Sequence, residues 1–149
     1  MTKPHVLVLS PHAGIADGLV GLLSLGGRYD VRRASSPSEI GAIASRWQAD
    51  AVLVDGTFLR NADGELALPA PAFVLTGTFA DAEPLLPRVP TAKGWLRKDP
   101  TYPELERALA SVGAASPPLL AGRARLLAAA LFAAVILAAA LASLWLVFN

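Results

Sequence analysis

Short apolar runs alternate with helical repeats of apolar residues along the first part of the chain. Runs such as HVLVL and AVLV are too short for a helix, and their content of Val and Leu is typical of strands buried in a sheet. The run YDVRRA carries charged residues and is expected near a sheet edge. The pattern predicts five strands, at His5–Leu9, Tyr29–Ala34, Ala51–Val54, Ala72–Leu75 and Gly94–Arg97.

Three helices are predicted from capping signals and apolar spacing. Ser36-Pro37-Ser38-Glu39 has the form of a capping box with proline at the first helical position, and Thr101 with Glu104 repeats the box later. Gly26-Gly27 ends the first helix. The apolar faces of the three helices consist of Ile15, Leu19, Leu22 and Leu23; Ile40, Ile43, Ala44 and Trp47; and Leu105, Leu109 and Val112.

The alternation of strands and helices predicts the fold class. It indicates an α/β fold in which a five-stranded parallel sheet is covered by helices on both faces. Two connections do not suit a full crossover helix. The connection from Asp55 to Ala72 is short and rich in Gly and Pro, and the next contains Pro84, Pro87 and Pro90, each of which would disrupt a helix interior. The third and fourth crossovers are therefore expected to be shortened or irregular.

A long uncharged segment follows the predicted domain. Leu126–Phe148 has Ser143 as its only polar side chain, and at 1.5 Å per residue it reaches about 35 Å, enough to cross a bilayer core of about 30 Å. A helix buried in a protein core usually keeps a polar face, and this segment has none. We predict one C-terminal transmembrane helix, with a domain at 1–115, a linker at 116–123 and a membrane anchor at 124–149.

The residues around and within this segment indicate its orientation and a packing face. Arg123 and Arg125 precede the helix and no Lys or Arg follows it in the sequence, so the positive-inside rule predicts a single-pass cell-membrane protein with a cytoplasmic N-terminal domain. Small residues at every fourth position predict a face on which two copies could pack as a homodimer. These residues are Ala130, Ala134, Ala138 and Ala142.

Composition and motifs exclude several classes of function. The net charge is +1 and the sequence has no basic patch with interleaved aromatics, so no nucleic-acid partner is expected. The sequence has no cysteine, which excludes a disulfide framework and a thiolate metal site. A Rossmann-type nucleotide-binding enzyme would need G-x-G-x-x-G after the first strand, where the chain has SPHAGIADG. No nucleophile-elbow motif is present, and we do not expect an enzyme.

Polar side chains that could carry chemistry follow several predicted strands. In an open α/β sheet such side chains collect beyond the carboxyl ends of the strands. The residues at those positions are Ser10, Pro11 and His12 after the first strand, Asp55 after the third, Thr76 after the fourth and Lys98 after the fifth.

The segments that contain these residues resemble the receiver domain of response regulators in two-component signalling, over roughly residues 6–112. DAVLVDGTFL resembles the strand that ends in the phosphoacceptor, which corresponds to Asp55. FVLTG resembles the strand with the switch hydroxyl, which corresponds to Thr76. AKGWLRKD resembles the last strand, with the switch aromatic at Trp95 and the phosphate-binding lysine at Lys98. The resemblance implies a flavodoxin-like, receiver-like fold and a signalling partner such as a histidine kinase.

The chain departs from this family after its first strand. Receivers carry an acidic pair there, one member of which helps to hold Mg²⁺, whereas this chain has Ser10 and Pro11. Mg²⁺ prefers carboxylates and water, and phosphoryl transfer uses the metal to neutralise developing charge. We therefore predict no metal and no cofactor, and an Asp55 carboxylate that pairs with Lys98.

Two interpretations of the receiver-like domain remain open at this point. In the first, it is a degenerate receiver (a pseudo-receiver) at the membrane that acts as a signalling or protein-interaction module without Mg²⁺-dependent phosphorylation. In the second, it is a phosphorelay receiver phosphorylated at Asp55, and Mg²⁺ would then be its cofactor. Thr76 and Trp95 are candidate switch residues in either case, although a loop cap and core packing would also explain them.

Overall fold

The computed structural model describes residues 2–115, and one compact unit comprises Met1–Gly113. The predicted linker at 116–123, the predicted membrane helix at Leu126–Phe148 and its alanine face lie outside the described residues. Within residues 2–115, none of the helices has the length and apolar character of a membrane span.

Strands and helices alternate along the described part of the chain. The strands are β1 (His5–Leu9), β2 (Asp30–Ala34), β3 (Ala51–Asp55), β4 (Ala72–Thr76) and β5 (Ala92–Arg97). The helices are α1 (Ala13–Leu25), α2 (Pro37–Ala44), α3 (Gly56–Asn61), α4 (Phe79–Ala82) and α5 (Tyr102–Ala115), with a 3₁₀ turn at Leu86–Arg88.

The five strands form one parallel sheet in the order β2-β1-β3-β4-β5. The predicted α/β fold with a five-stranded parallel sheet is therefore confirmed, as is the edge position of β2. β2 lies on one side of β1, and β3, β4 and β5 follow in sequence order on the other side. Such a reversal opens a crevice at the carboxyl ends of the two central strands, where ligands of α/β proteins bind.

Apolar residues are buried on both faces of the sheet. Successive residues of a strand point to opposite faces, so Val52 and Val54 of β3 contact one cluster while Ala51 and Leu53 contact the other. The first cluster contains residues of α2 and α3, and the second contains residues of α1 and α5. Both faces of the central strands are thus covered, which explains why β3 and β4 read as uninterrupted apolar runs.

The third and fourth crossovers are short, as predicted. α3 has six residues and α4 has four, and the 3₁₀ turn completes the fourth connection. Gly56 lets α3 begin directly against β4, because a Cβ at this position would lie 2.8 Å from Thr76 Cγ2 and 3.1 Å from the Leu75 carbonyl oxygen. A larger residue there would force the Thr76 side chain to shift and would crowd the Leu75 carbonyl group.

Arg88 joins these two irregular crossovers. Its backbone carbonyl accepts the Leu66 N–H at 2.8 Å, its Nε donates to the Gly64 carbonyl at 2.9 Å, and its Nη2 donates to the Ala62 carbonyl. The side chain therefore satisfies carbonyl groups that a longer α3 would have paired within itself.

The predicted capping box at the start of α2 is not formed. Ser36 does precede the helix and Pro37 is its first residue, but the Ser36 hydroxyl bonds to the Ser38 hydroxyl at 3.0 Å. The Glu39 carboxylate instead accepts the Ser35 N–H at 2.8 Å and the Ser35 hydroxyl at 2.9 Å. The spacing identified the helix start correctly, but the neighbouring serine offers the carboxylate a competing pair of donors.

Candidate functional site

Asp55 lies at the carboxyl end of β3, in the crevice between the two central strands. Its side chain is 0% exposed. It is also the N-cap of α3, since its Oδ1 accepts the Thr57 N–H at 2.9 Å. A carboxylate in this position satisfies one of the unpaired N–H groups at the helix start.

Lys98 reaches Asp55 from the segment after β5. Its Nζ lies 2.8 Å from Asp55 Oδ1 and donates to the Thr57 hydroxyl at 2.8 Å. The Lys98 N–H donates to the Thr76 carbonyl at 3.0 Å, which extends the hydrogen-bonded pairing of β4 with β5 by one residue. This bond fixes the position of the Lys98 backbone, from which the side chain extends to Asp55. The structure thus brings together the Asp55–Lys98 pair expected from the sequence.

Ser10 occupies the other side of the carboxylate. Its hydroxyl donates to Asp55 Oδ2 at 2.9 Å and accepts the His12 N–H at 3.1 Å, and the residue is 2% exposed. Its own N–H bonds to the Ala34 carbonyl at 3.2 Å, so it continues the pairing of β1 with β2. The sequence places Ser10 at the end of a strand and in the position of a missing acid, but this does not predict its hydrogen bond to Asp55. A polar residue at the end of a buried strand, beside another strand that ends in Asp, is the signal that identifies it as a hydrogen-bond donor.

These contacts decide the ionisation of Asp55. Burial is the largest influence and raises the pKa of this carboxyl, because a charge is less stable away from water. The hydrogen bonds from Lys98, Thr57 and Ser10, together with the charge of the ammonium group, outweigh burial and hold the pKa of Asp55 below its ordinary value. The carboxylate is therefore ionised and paired with one cation.

The residues at this position do not fit a magnesium ion. Both Asp55 oxygens already accept hydrogen bonds, Ser10 offers a hydroxyl in place of a carboxylate, and Pro11 has no ligand atom in its side chain. Across residues 2–115, no group of three or more His, Cys, Asp or Glu side chains is arranged to hold a metal. Asp17 is the acid nearest to Ser10 and Pro11 along the chain, and it pairs with Arg33 on the surface.

Thr76 and Trp95, the predicted switch residues, have separate surroundings. The Thr76 side chain is buried, and its hydroxyl donates to the Thr78 carbonyl at 2.6 Å in the turn before α4. Trp95 is half-buried on β5, and its ring contacts that of Phe79 with centroids 5.8 Å apart. The hydroxyl of Thr76 is thus used to cap a loop and does not bond to the Asp55 carboxylate.

The fold is similar to that of several solved structures. The receiver domain of the response regulator NarL from Mycobacterium tuberculosis is 22% identical with a TM-score of 0.58, and the match covers 77% of this chain and 99% of that domain. A response-regulator receiver protein from Burkholderia phymatum is 22% identical with a TM-score of 0.59, covering 78% and 100%.

A third similar structure is the receiver domain of a sensor histidine kinase from Pseudomonas aeruginosa, which has a magnesium ion in its active-site cleft. It is 18% identical with a TM-score of 0.58, and the match covers 75% of this chain and 99% of that domain. No protein-family model and no curated protein matches the chain. At these identities the likeness shows the fold, which is that of receiver domains.

Proposed function

We propose that this chain is a membrane-anchored pseudo-receiver: a receiver-fold signalling or protein-interaction module that works without Mg²⁺-dependent phosphorylation. The observation that carries the proposal is the set of bonds around Asp55. Its two oxygens together accept bonds from Ser10, Thr57 and Lys98, and its single negative charge is balanced by one ammonium group.

A phosphoacceptor would need an Asp55 oxygen that is free to attack and a cation that neutralises the incoming phosphoryl group. Phosphoryl transfer depends mainly on such positioning and charge neutralisation. In a site with several carboxylates, their mutual repulsion favours the binding of a metal ion. The Asp55–Lys98 pair lacks that repulsion, so the binding of a divalent cation or a phosphoryl group at this site is only weakly favourable.

The membrane part of the proposal is supported by the sequence of Leu126–Phe148. The arginines before it support a cytoplasmic location for the receiver-like domain. In this arrangement the domain would present its surface to a cytoplasmic partner, such as a histidine kinase or another signalling protein, from a fixed place at the membrane. Ala130, Ala134, Ala138 and Ala142 would provide the face for a homodimer.

The test is phosphorylation of the full chain in detergent micelles. We expect no Mg²⁺-dependent mass increase after incubation with acetyl phosphate, measured on the intact protein. A Ser10→Asp/Pro11→Asp variant, which restores two carboxylates beside Asp55, is the positive comparison and should accept the phosphoryl group. Stable labelling of the natural chain that disappears in Asp55→Asn would overturn the proposal in favour of the phosphorelay receiver.

A further inference from the structure

The chain contains three Asp-Gly dipeptides in three different environments. They are Asp17–Gly18, Asp55–Gly56 and Asp63–Gly64. In such a dipeptide the glycine nitrogen can attack the aspartate side chain, because glycine has no Cβ to hinder the approach and adopts more backbone conformations than any other residue. The rate of this attack depends on how easily the backbone turns and on whether the carboxyl group is protonated.

The helix α1 protects the first dipeptide. Asp17 and Gly18 lie inside α1, where each N–H is bonded to the carbonyl four residues earlier. The Asp17 carboxylate also pairs with Arg33. An attack by the Gly18 nitrogen requires α1 to open around it, so this dipeptide is expected to be unreactive in the folded domain.

The bonds of the candidate functional site protect the second dipeptide. The two Asp55 oxygens accept bonds from Ser10, Thr57 and Lys98, and these bonds hold the pKa of the carboxyl below its ordinary value. An ionised carboxylate is a poor target, because the reaction expels one of its oxygens as water. Gly56 is also buried, as the first residue of α3.

The third dipeptide has none of these restraints. Asp63 and Gly64 are exposed after α3, outside the helices and strands of the described chain. Within residues 2–115, Asp63 takes part in no ion pair and the Gly64 N–H donates no hydrogen bond. Gly64 has a φ of 74°, in the left-handed region that glycine enters at no steric cost. Its nitrogen is therefore accessible to the Asp63 carboxyl carbon.

One side chain holds the peptide groups on both sides of this dipeptide. Arg88 Nε donates to the Gly64 carbonyl at 2.9 Å, and Arg88 Nη2 donates to the Ala62 carbonyl. The peptide group that joins Asp63 to Gly64 lies between these two anchored groups. It has to turn before the nitrogen can reach the carboxyl carbon, and the bonds from Arg88 oppose that turn.

We propose that Asp63–Gly64 is a site of spontaneous isoaspartate formation and that Arg88 slows the reaction. The Gly64 nitrogen forms a bond to Cγ of the protonated Asp63 carboxyl group, the C–OH bond breaks, and the hydroxyl leaves with the amide proton as water. A second water then opens the cyclic succinimide. Cleavage between the nitrogen and the backbone carbonyl carbon of Asp63 gives isoaspartate, and cleavage at Cγ restores aspartate.

Isoaspartate at this position changes the third crossover. The main chain then passes through the side-chain carbons of residue 63, so an extra carbon atom separates the Ala62 and Gly64 carbonyls, and a carboxylate branches from the backbone. Arg88 can no longer bond to both carbonyls in the same geometry. The bond from the Leu66 N–H to the Arg88 carbonyl lies in the same segment and weakens with them.

The experiment follows the full chain in detergent micelles during storage in mildly acidic buffer, with circular dichroism to check that the domain stays folded. Isoaspartate is detected by methylation with a protein isoaspartyl methyltransferase and located by peptide mapping. Each rate is divided by the rate of the same dipeptide in urea, which removes the effect of neighbouring residues. We expect this ratio to be several-fold higher for Asp63 than for Asp17 and Asp55. Asp63→Glu keeps the charge but cannot form the succinimide, and should lose the signal.

Arg88→Met tests the restraint, with Arg107→Met, at an exposed position on α5, as the matched control. We expect the rate at Asp63 to rise several-fold in Arg88→Met only, and Arg88→Lys, which keeps one donor group, to give an intermediate rate. A ratio at Asp63 no higher than at Asp17 would overturn the site. An unchanged rate in Arg88→Met, or an equal rise at all three dipeptides, would overturn the role of Arg88.

Discussion

At the scale of single residues, the site is explained by what each side chain gives to Asp55. The Asp55–Lys98 pair was predictable from the resemblance to receivers, together with the positions of both residues at the carboxyl ends of strands in one parallel sheet. The role of Ser10 could not be predicted, because a comparison of residue types shows only that a carboxylate is missing at this position. Its function depends on the 2.9 Å distance between its hydroxyl and Asp55 Oδ2, which is set by the pairing of β1 with β3.

Replacing Lys98 by methionine should destabilise the domain. The change leaves a buried carboxylate without its cation, and breaking a buried pair in this way costs several kcal/mol. Because Lys98 is 28% exposed, we expect the lower part of that range, about 2–3 kcal/mol in the free energy of unfolding. Denaturant unfolding measures it, with Lys93→Met, at an exposed lysine of β5, as the control. Adding Asp55→Asn to Lys98→Met should recover part of the loss, and equal effects of the two lysine changes would contradict the pairing.

Acid should weaken the domain through Asp55. Because its pKa is lowered in the folded state, the unfolded chain takes up this proton first as the pH falls. The contribution of Asp55 is therefore complete above the ordinary Asp value of about 4 and is lost as the pH falls through the folded pKa. Glu39 and Glu104, whose pKa values are lowered by bonds from Ser35 and Thr101, act in the same direction.

The comparison that isolates Asp55 is unfolding free energy against pH for the natural chain and for Asp55→Asn. The natural chain should lose more stability below about pH 4 than the variant does. Parallel curves for the two proteins would mean that Asp55 does not carry a lowered pKa.

At the scale of elements, the strands were predictable and the irregular crossovers were only partly so. Strand positions follow from short apolar runs, and all five were located, with ends within two residues of those observed. The proline and glycine content of the third and fourth crossovers predicted that full helices would not form. What holds those segments could not be predicted, because it is a set of long-range bonds from Arg88 to carbonyl groups more than twenty residues away.

Arg88→Met should loosen the segment around Leu66 more than it weakens the rest of the domain. The change leaves the Ala62 and Gly64 carbonyls without their donor, which we expect to cost about 1–2 kcal/mol. Faster hydrogen exchange of the Leu66 amide is the local measurement, and unfolding free energy is the global one. Arg107→Met, at an exposed position on α5, is the matched control. Unchanged exchange at Leu66 would show that Arg88 does not hold these crossovers together.

At the scale of the whole molecule, the chain combines a receiver fold with a C-terminal segment predicted to span a membrane. The fold places Asp55 in the crevice where α/β domains bind ligands, yet the residues around it form a charge-balanced cluster. The sequence indicated the shortage of acids there, while the geometry accounts for how the remaining acid is satisfied. A module of this kind would act through its surface and its location.

Magnesium binding tests the central claim most directly. Titration of the full chain with Mg²⁺ in a calorimeter should give no saturable heat, because one carboxylate that is already paired with Lys98 offers too little negative charge for a divalent ion. The Ser10→Asp/Pro11→Asp variant, measured alongside, should bind. Saturable binding of one ion by the natural chain that is lost in Asp55→Asn would contradict the account.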